Sequence, residues 1–206
     1  MLSLAAWAWF AVPDDAFPVH LGFDGKVQTT NSRFVAFGVL PLLATILQCA
    51  FMVRSRVETR AEHLERSAKP LAITWLGILL ALATVQAAFI ALAAGHLTPE
   101  NLGAACIAGA SILHIASGNY LPKSRSNHTI GVRTRWTLAS ETSWSKTNRL
   151  GGQLLMAQGV VCLLVLAQHG VATATWCLIG GDLVVTIVTS VYSYLTWRDD
   201  PTHAET

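Results

Sequence analysis

The chain has 206 residues, of which 52% are hydrophobic and 13% charged, with a formal net charge of +2 and a mean hydropathy of +0.46. That balance is too apolar for an ordinary soluble domain of this length and carries too little excess charge for a nucleic-acid-binding surface. Four runs reach the roughly 20 apolar residues that a membrane helix needs: Phe34–Val53, Leu71–Ala94, Leu102–Leu121 and Thr173–Trp197, with Gly151–Gln168 as a fifth, slightly short one. The predicted fold class is an all-α, polytopic membrane helical bundle of about six transmembrane helices. Its expected divisions are 1–53, 54–118, 119–197 and a polar tail, 198–206.

In chain order, Leu2 to Val12 is an apolar stretch stopped by Pro13. Eleven helical residues cover about 16 Å, too little for a hydrocarbon core of about 30 Å. It lacks the basic region and cleavage site of a signal peptide. It reads either as a first membrane helix that begins upstream of Met1 or as a short half-inserted segment anchored by Trp7 and Trp9. In the loop that follows, Pro13 and Pro18 fix extended or turn backbone, and Asp24-Gly25 suits the tight turn of a small hairpin. His20 and Asp24 are ligand types for a metal, but two are too few, and a structural role in the loop is the plainer account.

Arg54 to Lys69 interleaves Glu58, Glu62 and Glu65 with Arg56, Arg60, Arg66 and Lys69, a pattern expected to give a solvated helical turn with pairs such as Glu62 and Arg66. The next two spans carry small residues at four-residue spacing, Gly77 with Ala81 and Ala105 with Gly109, which let helix backbones approach in lipid. Cys49, Cys106, Cys162 and Cys177 all fall inside apolar spans and read as packing residues rather than a disulfide framework. Two ionisable groups also lie within spans. His114 and Asp182, about 18 and 13 Å deep by residue count, are placed to meet, either as a proton-linked or substrate-binding pair or as a buried hydrogen-bonded pair. Gln48, Gln86, Gln153 and Gln158 are further polar glue.

Orientation follows from the retention of Lys and Arg on the cytoplasmic side. Five basic residues lie in 54–69, six in 119–152, and Arg198 follows the last span; the intervening loops 95–101 and 169–172 have none, and 13–33 has only Lys26 and Arg33. This predicts both termini in the cytoplasm of a multi-pass cell-membrane protein.

The most informative stretch is Asn119 to Gly152, a dense polar block between apolar runs. Thr137 and Ser140 are both candidate N-caps there, with Glu141 in a first turn where its charge suits the helix dipole. Trp136, Trp144 and the basic residues suit an interfacial position, as membrane-surface anchors or as a surface that docks a partner. Arg133 has the planar fork to clamp a carboxylate or lipid phosphate, with Glu141 as an internal partner.

Asn119, Tyr120, Pro122, Lys123, Asn127, Gly131, Arg133, Thr134, Trp136, Thr137, Leu138, Glu141, Trp144, Arg149, Gly151 and Gly152 fall at the spacing of the SdpI family signature, which this block resembles. Two positions depart from that pattern: Asn148, where the family carries histidine, and Arg135, where proline is common. Pro13, Asp14, Phe17, Pro18, Val19, His20, Asp24 and Gly25 resemble the short domain of unknown function that often precedes this signature.

The resemblance implies a membrane immunity protein. Its partners would be the lipid bilayer, a secreted toxin peptide on the side of Pro18, His20, Asp24 and Gly25, and a cytosolic transcriptional repressor. The repressor would meet Asn119, Tyr120, Pro122, Lys123, Gly131, Arg133, Trp136, Thr137, Glu141, Trp144 and Arg149. The alternative is a small transporter using His114 and Asp182, against which stands the lack of recognisable repeated halves. No HExxH, GxSxG or paired-carboxylate set supports an enzyme, and no catalytic residue, cofactor or metal is expected.

Overall fold

The computed structural model describes residues 1–12, 17–21, 27–30, 32–57, 59 and 61–201. The elements are α1 (Leu2–Ala11), β1 (Phe17–Leu21), β2 (Val27–Thr30), α2 (Val39–Arg56), α3 (Ala61–Arg66), α4 (Ala68–Ala93), α5 (Pro99–Tyr120), α6 (Arg135–Ala139) and α7 (Glu141–Arg198). Four helical stretches are long and apolar enough to cross a membrane: Phe34–Val53, Ala68–Ala93, Pro99–Lys123 and Glu141–Arg198. This is a multi-pass, all-α membrane bundle, to which the chain adds one two-stranded antiparallel hairpin. In it Phe17 pairs with Thr30 and Leu21 with Val27, in keeping with the turn expected between them. Asp24 and Gly25 lie outside the described residues.

The ten-residue α1 packs Ala8 and Val12 against Ala36, Phe37 and Ile90. Phe34–Gly38 forms a π-helical turn leading into α2. The wider turn falls where it relieves the clash between the Pro41 ring and the carbonyl one turn earlier. α2 meets α4 through Phe51 stacked on Trp75, 4.2 Å between ring centroids, and through the Trp75 indole N–H, which donates to Gln48 at 2.8 Å. The α4–α5 connection is short and closed at both ends. Gly95, with φ of +75°, ends α4 with the paired backbone bonds Gly95 to Leu92 and His96 to Ala91, and Thr98 caps α5 ahead of Pro99.

At 58 residues, α7 would be about 87 Å long if straight, nearly three bilayer cores. It folds back at Gly170 (φ 77°, ψ −176°), a conformation open to glycine and costly for other residues. The arms 141–169 and 171–198 therefore lie antiparallel. Gln158 meets Asp182 at 3.0 Å, the thiols of Cys162 and Cys177 are 3.6 Å apart, and Ser143 donates to the Ser193 carbonyl at 2.8 Å.

α5 packs against the first arm at van der Waals limits. A Cβ on Gly118 would lie 2.5 Å from the Gly152 carbonyl oxygen, one on Gly152 would strike the Gly118 carbonyl oxygen, and one on Gly159 would lie 2.5 Å from that of Ser111. Without a hydrophobic driving force between helices in lipid, such close backbone contact carries the association. Of the expected small-residue positions, Gly109 meets nothing within 4 Å, whereas a Cβ on Gly77 would lie 2.6 Å from the Leu113 side chain, so Gly77 serves the α4–α5 contact. Gly159→Ala should therefore destabilise the protein by about 1–3 kcal/mol, lowering the thermal midpoint in nanodiscs. Gly180→Ala, which meets nothing within 4 Å, should leave it unchanged or slightly raised.

Candidate functional site

The polar block is built from its own turn chemistry. Asn127, fully buried, bends the loop by accepting from the backbone N–H groups of Thr129 and Ile130, both at 2.8 Å, and donating to the Arg125 carbonyl at 2.6 Å. Gly131 has φ of +123°, and a Cβ there would lie 2.7 Å from the Trp144 ring and 2.9 Å from Asn148 Oδ1. The loop thus needs glycine both for its backbone and for the space. Trp144, 1% exposed, donates its indole N–H to the Ser124 carbonyl at 3.0 Å. Asn148 accepts from Val132 N–H at 2.7 Å and donates to the Trp144 carbonyl at 3.0 Å. Its amide supplies an acceptor and a donor at once, at the position where the family signature has an imidazole.

The short helix α6 starts at Thr134, not at Thr137. Thr134 and Thr137 form a reciprocal capping box, and Thr137, buried at the third helical position, donates to the Val132 carbonyl at 2.8 Å. Ser140 is the N-cap of α7, accepting from Ser143 N–H at 2.9 Å, and its hydroxyl donates to the Asp200 carboxylate at the far end of the second arm. Thr134 donates to Ser193 at 2.9 Å, and Thr196 to Ser143 at 3.1 Å. Block and hairpin are one hydrogen-bonded unit that fastens both ends of α7 together. Among the described residues the bonded hydroxyls and amides of the cluster rigidify it, and Thr147 Oγ1 is the buried group in it left without a partner.

The loop before α4 docks on the same unit. Ser67, fully buried, accepts from Arg125 N–H at 2.8 Å; His63 Nδ1 lies 2.9 Å from the Ser126 carbonyl and 3.6 Å from Glu141. The expected Arg66–Glu62 pair forms at 2.5 Å. Arg133 does not pair with Glu141: it donates to the His128 carbonyl at 2.6 Å, and Glu141 faces His63 instead. His63 and Ser67 sit in a loop whose charge alternation drew attention to its solvated face, so their docking left no separate sequence signal.

The signature residues divide by exposure. Thr137 and Trp144 are interior, and Gly131, Trp136 and Tyr120 are half-buried; Asn119, Pro122, Lys123, Arg133, Glu141 and Arg149 are exposed. Lys123 Nζ sits 4.4 Å from the Tyr120 ring centroid, with Lys69 on the same ring at 5.9 Å. Arg135 lies 4.9 Å from the Trp136 ring, and Trp136 is 5.3 Å from Tyr194, an aromatic and cationic belt at this end of the bundle. Of the outer-loop residues, Pro18 and His20 belong to β1.

Within the span, the structure brings His114 and Asp182 together at 2.9 Å, and Gln158 donates to the same Asp182 oxygen at 3.0 Å. His114 Nδ1 is 2.7 Å from the Ala110 carbonyl. Gln48 and Gln158 act as polar glue, whereas Gln86 is buried with no partner for either amide atom and Gln153 is exposed. Among the described residues no group of three or more His, Cys, Asp or Glu side chains is arranged to hold a metal.

A family model described as the SdpI/YfhL protein family matches residues 123–193, which covers most of the block and nearly the whole of α7. Over 53 residues the chain is 40% identical to the protein named Immunity protein SdpI of Bacillus subtilis (strain 168). The alignment covers 26% of this chain and 26% of that relative, so it spans about a quarter of the curated protein. No solved structure matches.

The neighbours Asn148 and Arg149 should separate the block's interior from its surface. Asn148→Leu orphans the Val132 N–H and should cost about 2 kcal/mol. Arg149→Gln, on the exposed face, should stay within about 0.5 kcal/mol. Chemical unfolding of the purified protein in detergent measures both.

Proposed function

From the match of residues 123–193 to the SdpI/YfhL family model, we propose that the chain is a member of that family and an integral membrane immunity protein, protecting the membrane it occupies from a secreted toxin peptide. One observation carries the reading. The family match coincides with the structural unit in which the block and the α7 hairpin are fastened together, so what matches the family model is a folded module rather than scattered residues. Five membrane passes follow if α7 crosses twice, and α1 makes the sixth where its helix completes a span. The exposed cations Lys69, Lys123, Arg125, Arg133, Arg135, Lys146 and Arg149 all lie at the block end, and the α4–α5 and Gly170 turns at the other end carry no Lys or Arg. That asymmetry supports a cytoplasmic block and cytoplasmic termini.

A cytosolic regulator, in this reading a transcriptional repressor sequestered at the membrane, docks on the exposed residues Lys123, Arg133 and Arg149 beside Trp136. The interior residues Thr137 and Trp144 hold that surface in shape. The toxin meets the opposite, outer face, where the hairpin carrying Pro18 and His20 lies.

The contact between His114 and Asp182 also favours the second reading, a small transporter. Uptake of candidate solutes or protons into liposomes, with Asp182→Asn as control, tests it: flux abolished by the substitution supports transport, and absence of flux excludes it.

Expression in toxin-sensitive cells should restore growth in the presence of the secreted peptide. The Arg133→Ala, Trp136→Ala double variant, at equal abundance, should keep protection and lose co-purification of a small DNA-binding regulator. Cells that stay sensitive while making the folded wild-type chain would contradict the immunity reading.

A further inference from the structure

Asp182 lies near the middle of the second arm, and its side chain is 48% exposed although it belongs to an apolar span. A carboxylate at that depth costs about 3 kcal/mol unless it is paired. Both bonds it receives fall on one oxygen: Gln158 Nε2 at 3.0 Å and His114 Nε2 at 2.9 Å meet Oδ1, and Oδ2 takes no hydrogen bond among the described residues. Gln158 adds a second unpartnered acceptor, a buried one that lies behind the carboxylate rather than on the lipid face. It is 8% exposed, its Nε2 is committed to Asp182 and to the Leu178 carbonyl at 2.9 Å, and its buried Oε1 has no partner. Turning the amide over does not help, because Oε1 would then face two acceptor oxygens. His114 Nδ1 is occupied at Ala110. The unfilled capacity of the site is therefore all acceptor, beside a carboxylate, and its complement is a cationic donor.

We propose that Asp182, held in place by Gln158 and His114, is an intramembrane receptor site for a lysine-type ammonium group carried on a membrane-inserted peptide. The proposal rests on the immunity reading and names where in the bilayer the toxin peptide is recognised. The residues flanking Asp182 on the exposed side of the arm, Ile179, Leu183, Val184 and Ile187, are apolar, so the donor arrives on an apolar chain within the lipid. An ammonium group has three donors on a flexible apolar stem, which lets it reach the half-exposed Asp182 carboxylate from within the lipid. A second copy of this chain cannot supply it at that depth, since the apolar runs 34–53, 71–94, 102–121, 151–168 and 173–197 contain no Lys or Arg.

The test uses the full-length protein in neutral phosphatidylcholine nanodiscs and synthetic Leu/Ala helices of about 20 residues, with lysine at the centre, with leucine there, or with the lysine moved to one end. The central-lysine helix should bind at least about tenfold more tightly than the other two, a preference falling to about twofold or less in Asp182→Asn. The comparison among peptides needs only the wild-type protein, so it stands even if the variant folds poorly. Equal binding of the three helices by wild type, or full preference retained by a folded Asp182→Asn variant, overturns the proposal while leaving protection of cells untouched. A lysine preference together with cells that stay sensitive supports the site and removes only its assignment to immunity.

Discussion

The backbones of α5 and the first arm of α7 touch at Gly118 and Gly152, and the polar block can close only because they do. Any side chain at either position would push the helices apart by the width of a methyl group or more. Pro122 also rests against Gly152, which sets the direction in which the chain leaves α5. From that fixed departure the loop turns at Asn127 and Gly131, passes under Trp144 and returns into α6. In water such a contact would be one of many; in lipid, where apolar surface gains little by meeting apolar surface, close packing and hydrogen bonds carry the association.

The second constraint is the length of α7. A helix of 58 residues fits a bilayer only if it reverses, and Gly170 supplies the reversal without a loop. A bare hairpin of two apolar arms is free to slide or splay. The block prevents this by bridging Ser140 to Asp200 and Thr134 to Ser193 at one end, while Gln158 and His114 converge on Asp182 farther along. Polar groups are costly in such a place, so they register the helices only where each finds its partner. Asp182 is paired through one oxygen while about half of its side chain stays open, the feature on which the proposed peptide contact rests.

Much of this was legible in the sequence because it followed from periodicity, charge and spacing. The long apolar runs became helices, Ser140 became the cap of α7, His114 met Asp182, and the basic residues gathered at one end. What was not legible depended on which surfaces face one another. Small residues in the third and fourth spans pointed to Gly77, Ala81, Ala105, Gly109 and Ser111, and Ser111 does meet Gly159, but Gly118 with Gly152, seven residues from that contact on both helices, carried no such signal. The capping role of Thr134 was masked by Thr137, because both are Thr in a Thr-x-x-Thr box and only the fold shows which comes first. Glu141 and Arg133 looked like partners by charge, but the loop docked through His63 and Ser67 puts a different residue in front of each. Asp200, in a short acidic run after the last span, gave no hint that it would close the hairpin.

The claim on which the rest turns is that the block is a closed cap on one end of the hairpin, the end proposed to face the cytoplasm. Cysteine accessibility measures it directly, in a background where Cys49, Cys106, Cys162 and Cys177, all free thiols, are replaced by alanine. Single Arg133→Cys and Ser143→Cys variants would be exposed to a membrane-impermeant maleimide in right-side-out and inside-out vesicles. Labelling of Arg133→Cys in inside-out vesicles only, with Ser143→Cys protected in both until the protein is unfolded, is the predicted result. Rapid labelling of Ser143→Cys in the folded protein, or labelling of Arg133→Cys from the outer side, would contradict it.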